Sequence, residues 1–126
     1  MYNILVCDDE KDIVKALTIY LSGENYNIFQ AFNGKEAIQI TEKEKIHLIL
    51  MDVMMPVMDG LTASKTIRGL DRPDAKNIPI IAMTANAFKE DAQKCFDAGM
   101  NAHLAKPLDM ERVKATITEL VRQPEK

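Results

Sequence analysis

The stretch His47-Leu48-Ile49-Leu50-Met51-Asp52-Val53-Met54-Met55-Pro56-Val57-Met58-Asp59-Gly60 decides the fold. Leu48 to Met51 is an unbroken apolar run with no face left for water, the pattern of a central parallel strand covered by helices on both sides. It stops on a carboxylate, Asp52. Loops joining strands to helices gather at the carboxyl edge of such a sheet, so a polar residue there projects into the ligand-binding crevice. A lone Asp after a strand also commonly caps a turn, so Asp52 gains chemical meaning only if other strands end in complementary groups.

Upstream, Asn3 to Cys7 reads as a buried strand followed at once by Asp8-Asp9-Glu10. Ile13, Ala16, Leu17, Tyr20 and Leu21 then recur at helical spacing, and the helix ends near Ser22-Gly23. Asn27 to Ala31 is a less apolar strand suited to an edge, and Asn33-Gly34-Lys35-Glu36 reads as a capping box opening a helix with Ala37, Ile38 and Ile40. Downstream, a loop held by Pro56 and Gly60 leads into a helix over Leu61 to Leu70, broken by the turn chemistry of Asp71-Arg72-Pro73-Asp74. Ile78 to Met83 is a fourth strand ending on Thr84, with Pro79 near its start where proline is tolerated. Phe88, Ala92, Cys95 and Phe96 share a helix face closed by a C-cap glycine, Gly99. Ala102 to Ala105 is a brief strand ending in Lys106-Pro107, and Asp109 caps a last helix whose Val113, Ile117, Leu120 and Val121 face inward.

Strands and helices alternate at spacings that allow only right-handed crossovers onto one parallel sheet. The expected fold is α/β, a single doubly wound five-stranded sheet in the flavodoxin-like order 2-1-3-4-5 with five flanking helices. A chain of 126 residues with 47% hydrophobic content buries one core, so a single domain over residues 1–122 is expected, with 123–126 as a tail or the start of a linker.

The formal net charge is -3, with no block of Lys or Arg, which argues against direct nucleic-acid or anionic-membrane binding. No apolar run approaches the ~20 residues that span a bilayer, and the first residues lack the pattern of a secretion signal. A cytoplasmic protein is expected. Cys7 and Cys95 stand in no metal or redox spacing and read as reduced, buried thiols.

The strand ends do carry complementary groups: Asp8 and Asp9 after the first, Asp52 after the third, Thr84 after the fourth and Lys106 after the fifth. In the order 2-1-3-4-5 these meet in one crevice at the switch point. Three crowded acids repel one another unless a counter-charge is supplied. Mg2+ prefers oxygen ligands, one or two of them carboxylates, with waters and phosphate oxygens completing the shell. Asp9 and Asp52 are the expected direct ligands, with Asp8 acting through water and the backbone carbonyl of Met54 adding an oxygen. Asp52 could then attack phosphorus while Lys106 and the metal neutralise the phosphoryl oxygens and Thr84 donates a hydrogen bond. Each residue alone has an ordinary surface explanation; their coincidence on one edge favours the chemical one.

In these residues and their order, the sequence resembles the receiver domains of two-component response regulators. The matching positions are Asp8-Asp9-Glu10, Asp52 with Met55-Pro56 and Met58-Asp59-Gly60, Thr84-Ala85, and Lys106-Pro107. The resemblance implies that Asp52 is the phosphoacceptor for a histidine kinase or histidine phosphotransfer domain. It implies further that Asp8 and Asp9 hold Mg2+, that Thr84 is the switch hydroxyl and that Lys106 contacts the phosphoryl group. Phosphorylation would shift the face made by the fourth helix, fifth strand and fifth helix, where an output domain or partner binds. The family's aromatic switch position, three before Lys106, is His103, a polar ring that titrates near neutrality. By the same resemblance the chain is no enzyme in the ordinary sense but assists its own phosphorylation and dephosphorylation, with Met54 and Asn86 flanking the route of attacking water. The first half is similar to receivers of DNA-binding regulators, the second to receivers attached to hybrid histidine kinases. A domain excised from a longer protein and a recombined or engineered receiver would each explain that mixture.

Three rival functions differ in what they need. A phosphatase of the haloacid-dehalogenase type wants a second Asp two residues after the nucleophile, where this chain has Met54. A flavin carrier wants a phosphate-binding first loop, which Asp8-Asp9-Glu10 would repel. A receiver-like scaffold that works unphosphorylated has no need of a complete pocket.

Overall fold

The computed structural model describes residues 2–24, 26–85 and 89–121, with backbone only for 89–91. Five strands, β1 (Tyr2–Cys7), β2 (Tyr26–Ala31), β3 (Leu48–Asp52), β4 (Ile80–Thr84) and β5 (Ala102–Ala105), form one sheet in the order β2-β1-β3-β4-β5. Every pairing is parallel, as the βαβ alternation requires. Helices α1 (Lys11–Ser22), α2 (Gly34–Lys43), α3 (Gly60–Arg68), α4 (Lys89–Asp97) and α5 (Met110–Val121) make the crossovers and the final layer.

Alternation along each strand divides the core in two. Leu5, Cys7, Ile49, Met51, Ile80 and Ala82 pack with Ala37, Ala63, Ile67 and Cys95, from α2, α3 and α4. Ile4, Val6, Leu48, Leu50, Ile81 and Met83 pack with Val14, Leu17, Leu21, Val113 and Ile117, from α1 and α5. Because both faces are covered, every residue of β3 and β4 is buried, which is why these strands read as continuous apolar runs.

Several expectations are corrected in detail. The buried stripe of α1 is Val14, Leu17 and Leu21, and Ala16 is exposed; the larger valine side chain removes more apolar area from water than a methyl group does. Phe96 is 49% exposed, because the buried arc of α4 centres on Cys95, about 100° away around the helix. β4 starts two residues late, at Ile80, and α3 ends at Arg68 rather than Leu70. Phe88 and the 123–126 tail lie outside the described residues.

Caps form largely as read. Asn33 Oδ1 accepts from the Glu36 amide at 2.9 Å, while Glu36 Oε1 accepts from Phe32 N–H, one residue before the cap. Asp109 Oδ1 accepts from Glu111 N–H at 3.0 Å. Gly99 has φ 95 and therefore needs the freedom of glycine. Its carbonyl accepts two bonds from Arg68, which also donates to Ala75 O and Asn101 Oδ1, tying the end of α3 to the turn before β5. At the amino edge of the sheet, His47 Nδ1 accepts from Asn3 N–H at 2.9 Å; burial, then Lys45, holds its pKa below the usual histidine value.

Candidate functional site

The carboxyl edge of the sheet gathers the predicted residues because each sits at, or one or two residues past, the end of a strand. Asp52 is the last residue of β3, opposite Met83 of β4, and Thr84 is the last of β4, opposite Ala105 of β5. Asp8 and Asp9 follow β1 directly. Lys106 follows β5, and its N–H donates to Thr84 O at 2.8 Å, extending the ladder by one bond so that its side chain leaves from the rim. The Lys106-Pro107 peptide is cis.

One carboxylate oxygen from each of Asp8, Asp9 and Asp52 lies within 4.8 Å of the others. Asp8 and Asp52 are buried and Asp9 is exposed, so the cluster opens to solvent on one side. The Lys106 ammonium reaches into it, 2.9 Å from Asp8 Oδ2, 3.4 Å from Asp52 Oδ1 and 3.7 Å from Glu10 Oε1. Burial works against this charge, but the contact with Asp8 and the charges of Asp52 and Asp8 outweigh it and hold the Lys106 pKa above its usual value.

The acids remain under-compensated. Burial first, then the charge of Asp8, pushes the Asp52 carboxyl up to about 7 against the opposing pull of Lys106. Asp8 Oδ2 is fully buried, and its close partner among the described residues is the Lys106 ammonium at 2.9 Å. One ammonium cannot neutralise three crowded carboxylates, and three oxygens at this spacing with one open side fit a hard cation that keeps some of its waters.

The β3–α3 loop sets the pose of Asp52. Met54 N–H donates to Asp52 Oδ1 at 3.4 Å, and Gly60 N–H donates to Val53 O at 3.0 Å, folding the loop back on the strand. A Cβ at Gly60 would stand 2.1 Å from the Asp52 carbonyl oxygen, and one at Gly34 would stand 2.6 Å from Met58 O. Both glycines are therefore seats for this loop. Asp59 caps α3 through Thr62 N–H at 2.7 Å. Val57 has φ 70, a conformation that branched side chains rarely tolerate, and is 79% exposed; Met54 in the same loop is 75% exposed.

Thr84 is buried and, with Val53, Met54, Leu61, Ala85, Lys94 and Cys95, lines a cavity of about 280 Å³ beside the acids. His103 stands apart on β5, its ring edge-on to Phe96 with centroids 6.5 Å apart. Asn86 is outside the described residues. Sequence reasoning quoted Glu10 without giving it a role; its one signal was position, since it holds the N-cap of α1 without a side-chain cap bond. Arg68 passed unnoticed, because an arginine near a helix end reads as a solvated charge.

Residues 4–118 match the family described as response regulator receiver domain. ResD, a transcriptional regulatory protein of Bacillus subtilis (strain 168), is 38% identical over 120 residues, covering 95% of this chain and 48% of its own. The sensor histidine kinase RcsC of Escherichia coli (strain K12) is 36% identical over 115 residues, covering 91% of this chain and 12% of its own. A transcriptional regulatory protein and a sensor histidine kinase are thus both among its relatives. The chain spans 7% to 56% of the length of the first curated relatives it matches. The receiver domain of the sensor histidine kinase PA1611 from Pseudomonas aeruginosa PAO1 superposes with a TM-score of 0.88 at 30% identity, covering 97% of this chain and 98% of the other; that structure has a magnesium ion coordinated in its active-site cleft. Receiver domains are signalling switches. The chain belongs to the response regulator receiver domain family.

Proposed function

We propose that Asp52 is the phosphoacceptor of this switch and takes its phosphoryl group from a histidine kinase or a histidine phosphotransfer domain. The observation that carries the reading is the convergence of Lys106 Nζ on Asp52 Oδ1 at 3.4 Å, beside the Asp8 and Asp9 carboxylates. In the transfer, an Asp52 oxygen forms a bond to phosphorus while the donor's nitrogen–phosphorus bond breaks and its electron pair leaves with the imidazole. Phosphoryl transfer asks chiefly for positioning and charge stabilisation. Asp8, Asp9, Asp52 and the Met54 backbone carbonyl would hold Mg2+, which supplies positive charge to the phosphoryl oxygens. Lys106 supplies a second cation, and Thr84 donates its hydroxyl hydrogen to the same group. Water attack on phosphorus later breaks the bond from the Asp52 oxygen to phosphorus, releasing inorganic phosphate and returning the carboxylate, so the chain assists its own reset and turns over no separate substrate.

The output belongs to the α4–β5–α5 face. Thr84 is tied to β5 through the Lys106 amide, and His103 on the same strand touches Phe96 of α4, a route by which movement of Thr84 would reach that surface. No nucleic-acid or membrane contact is part of this reading. Among the described residues no helix is long and apolar enough to cross a membrane. The cytoplasm is the proposed compartment, the one in which buried cysteines outside any disulfide, such as Cys7 and Cys95, persist in reduced form. The test is to treat the chain with a small phosphodonor and Mg2+ and weigh it. A gain of one phosphoryl group that Asp52→Asn abolishes is expected; no gain, or a gain that survives the substitution, refutes the proposal.

A further inference from the structure

We infer that Glu10 is a positioning residue that receives the Lys106 ammonium when a divalent cation enters the acid cluster. This rests on the metal reading above. In the structure the ammonium occupies the cluster itself, 2.9 Å from Asp8 and 3.4 Å from Asp52. A cation bound among Asp8, Asp9 and Asp52 meets that like charge at close range, and the ammonium has to retreat. Lys106 keeps a flexible stem that allows the move. Glu10 Oε1 lies 3.7 Å from Nζ on a 63% exposed side chain and is not one of the three carboxylates of the cluster. Glu10 is free for the task because it makes no cap bond at the start of α1. Its backbone is fixed, with its N–H donating to Asp8 Oδ1 at 2.9 Å, so the landing place is held in register with the cluster.

The experiment is a double-mutant cycle read as Mg2+ affinity, from amide shifts of 15N-labelled protein titrated with MgCl2 at constant ionic strength. Exposed ion pairs set the scale, and Glu10→Gln weakens Mg2+ binding by about threefold when Lys106 is present. In a Lys106→Met background, which keeps the stem and removes the charge, Glu10→Gln changes the affinity by less than about 1.5-fold. Equal weakening in both backgrounds would mean that Glu10 acts only as a nearby charge, and it overturns the inference while leaving the metal site standing. Absence of saturable Mg2+ binding by the unaltered chain overturns both. The amide spectra of the variants report folding in the same measurement.

Discussion

Gly60→Ala isolates how the β3–α3 loop serves Asp52. The added methyl would sit 2.1 Å from the Asp52 carbonyl oxygen, against the 3.4 Å at which ordinary contact begins, a shortfall of 1.3 Å. The obstacle is backbone at the end of a fully buried strand, so no side-chain rotation relieves it. Overpacking of this kind costs about 3 kcal/mol. For a chain of this size that is a fall in Tm of about 10 °C. Relief requires the loop or the end of β3 to move by roughly an ångström, and a displacement of that size at a reacting group costs on the order of a hundredfold in rate. Urea unfolding monitored by circular dichroism gives the first number, and the rate of phosphoryl uptake with Mg2+ gives the second. A variant that unfolds within about 0.5 kcal/mol of the parent and accepts phosphoryl at the same rate would refute the argument.

Val57→Asn should stabilise by about 1 kcal/mol, since asparagine tolerates the φ of 70 that a branched residue does not; an unchanged or lower Tm would contradict this. Ser64 Oγ is fully buried without a hydrogen-bond partner among the described residues, so Ser64→Ala should be stabilising by about 1 kcal/mol in urea unfolding, and a loss of stability would contradict this. In metal-free protein the raised pKa of Asp52 means that the folded state holds its proton more tightly than the unfolded chain does. Stability from this group is present at about pH 4 and is lost as pH rises towards 7. Asp52→Asn should therefore match the parent near pH 4 and exceed it by about 4 kcal/mol at pH 8 without Mg2+, with saturating Mg2+ narrowing the gap. A parent more stable than the variant at pH 8 without metal would refute the assignment.

The order of elements was legible because β3 and β4 are buried on both faces and so appear as continuous apolar runs that stop on Asp52 and Thr84. The acid cluster followed from topology, once each strand end was placed on one rim. Finer features escaped for physical reasons. A helix stripe read from apolar letters cannot tell Val14 from Ala16 until the neighbouring β1 and β2 residues compete for contact. Phe96 looked like core because aromatics are usually buried, yet its angular position on α4 puts it beside His103. The approach of Lys106 to Glu10 joins residues from opposite ends of the chain and leaves no local mark. Gly60 was visible as a turn residue, but its distance to the Asp52 carbonyl is a property of the closed loop alone.

The most direct test of the account is the location of the phosphoryl group. Protein phosphorylated in the presence of Mg2+ is reduced with borohydride, which converts an aspartyl phosphate to homoserine, and its peptides are sequenced by mass spectrometry. Homoserine at position 52 and nowhere else is the predicted result. Homoserine at Asp8, Asp9 or another carboxylate, or none at all, would contradict it.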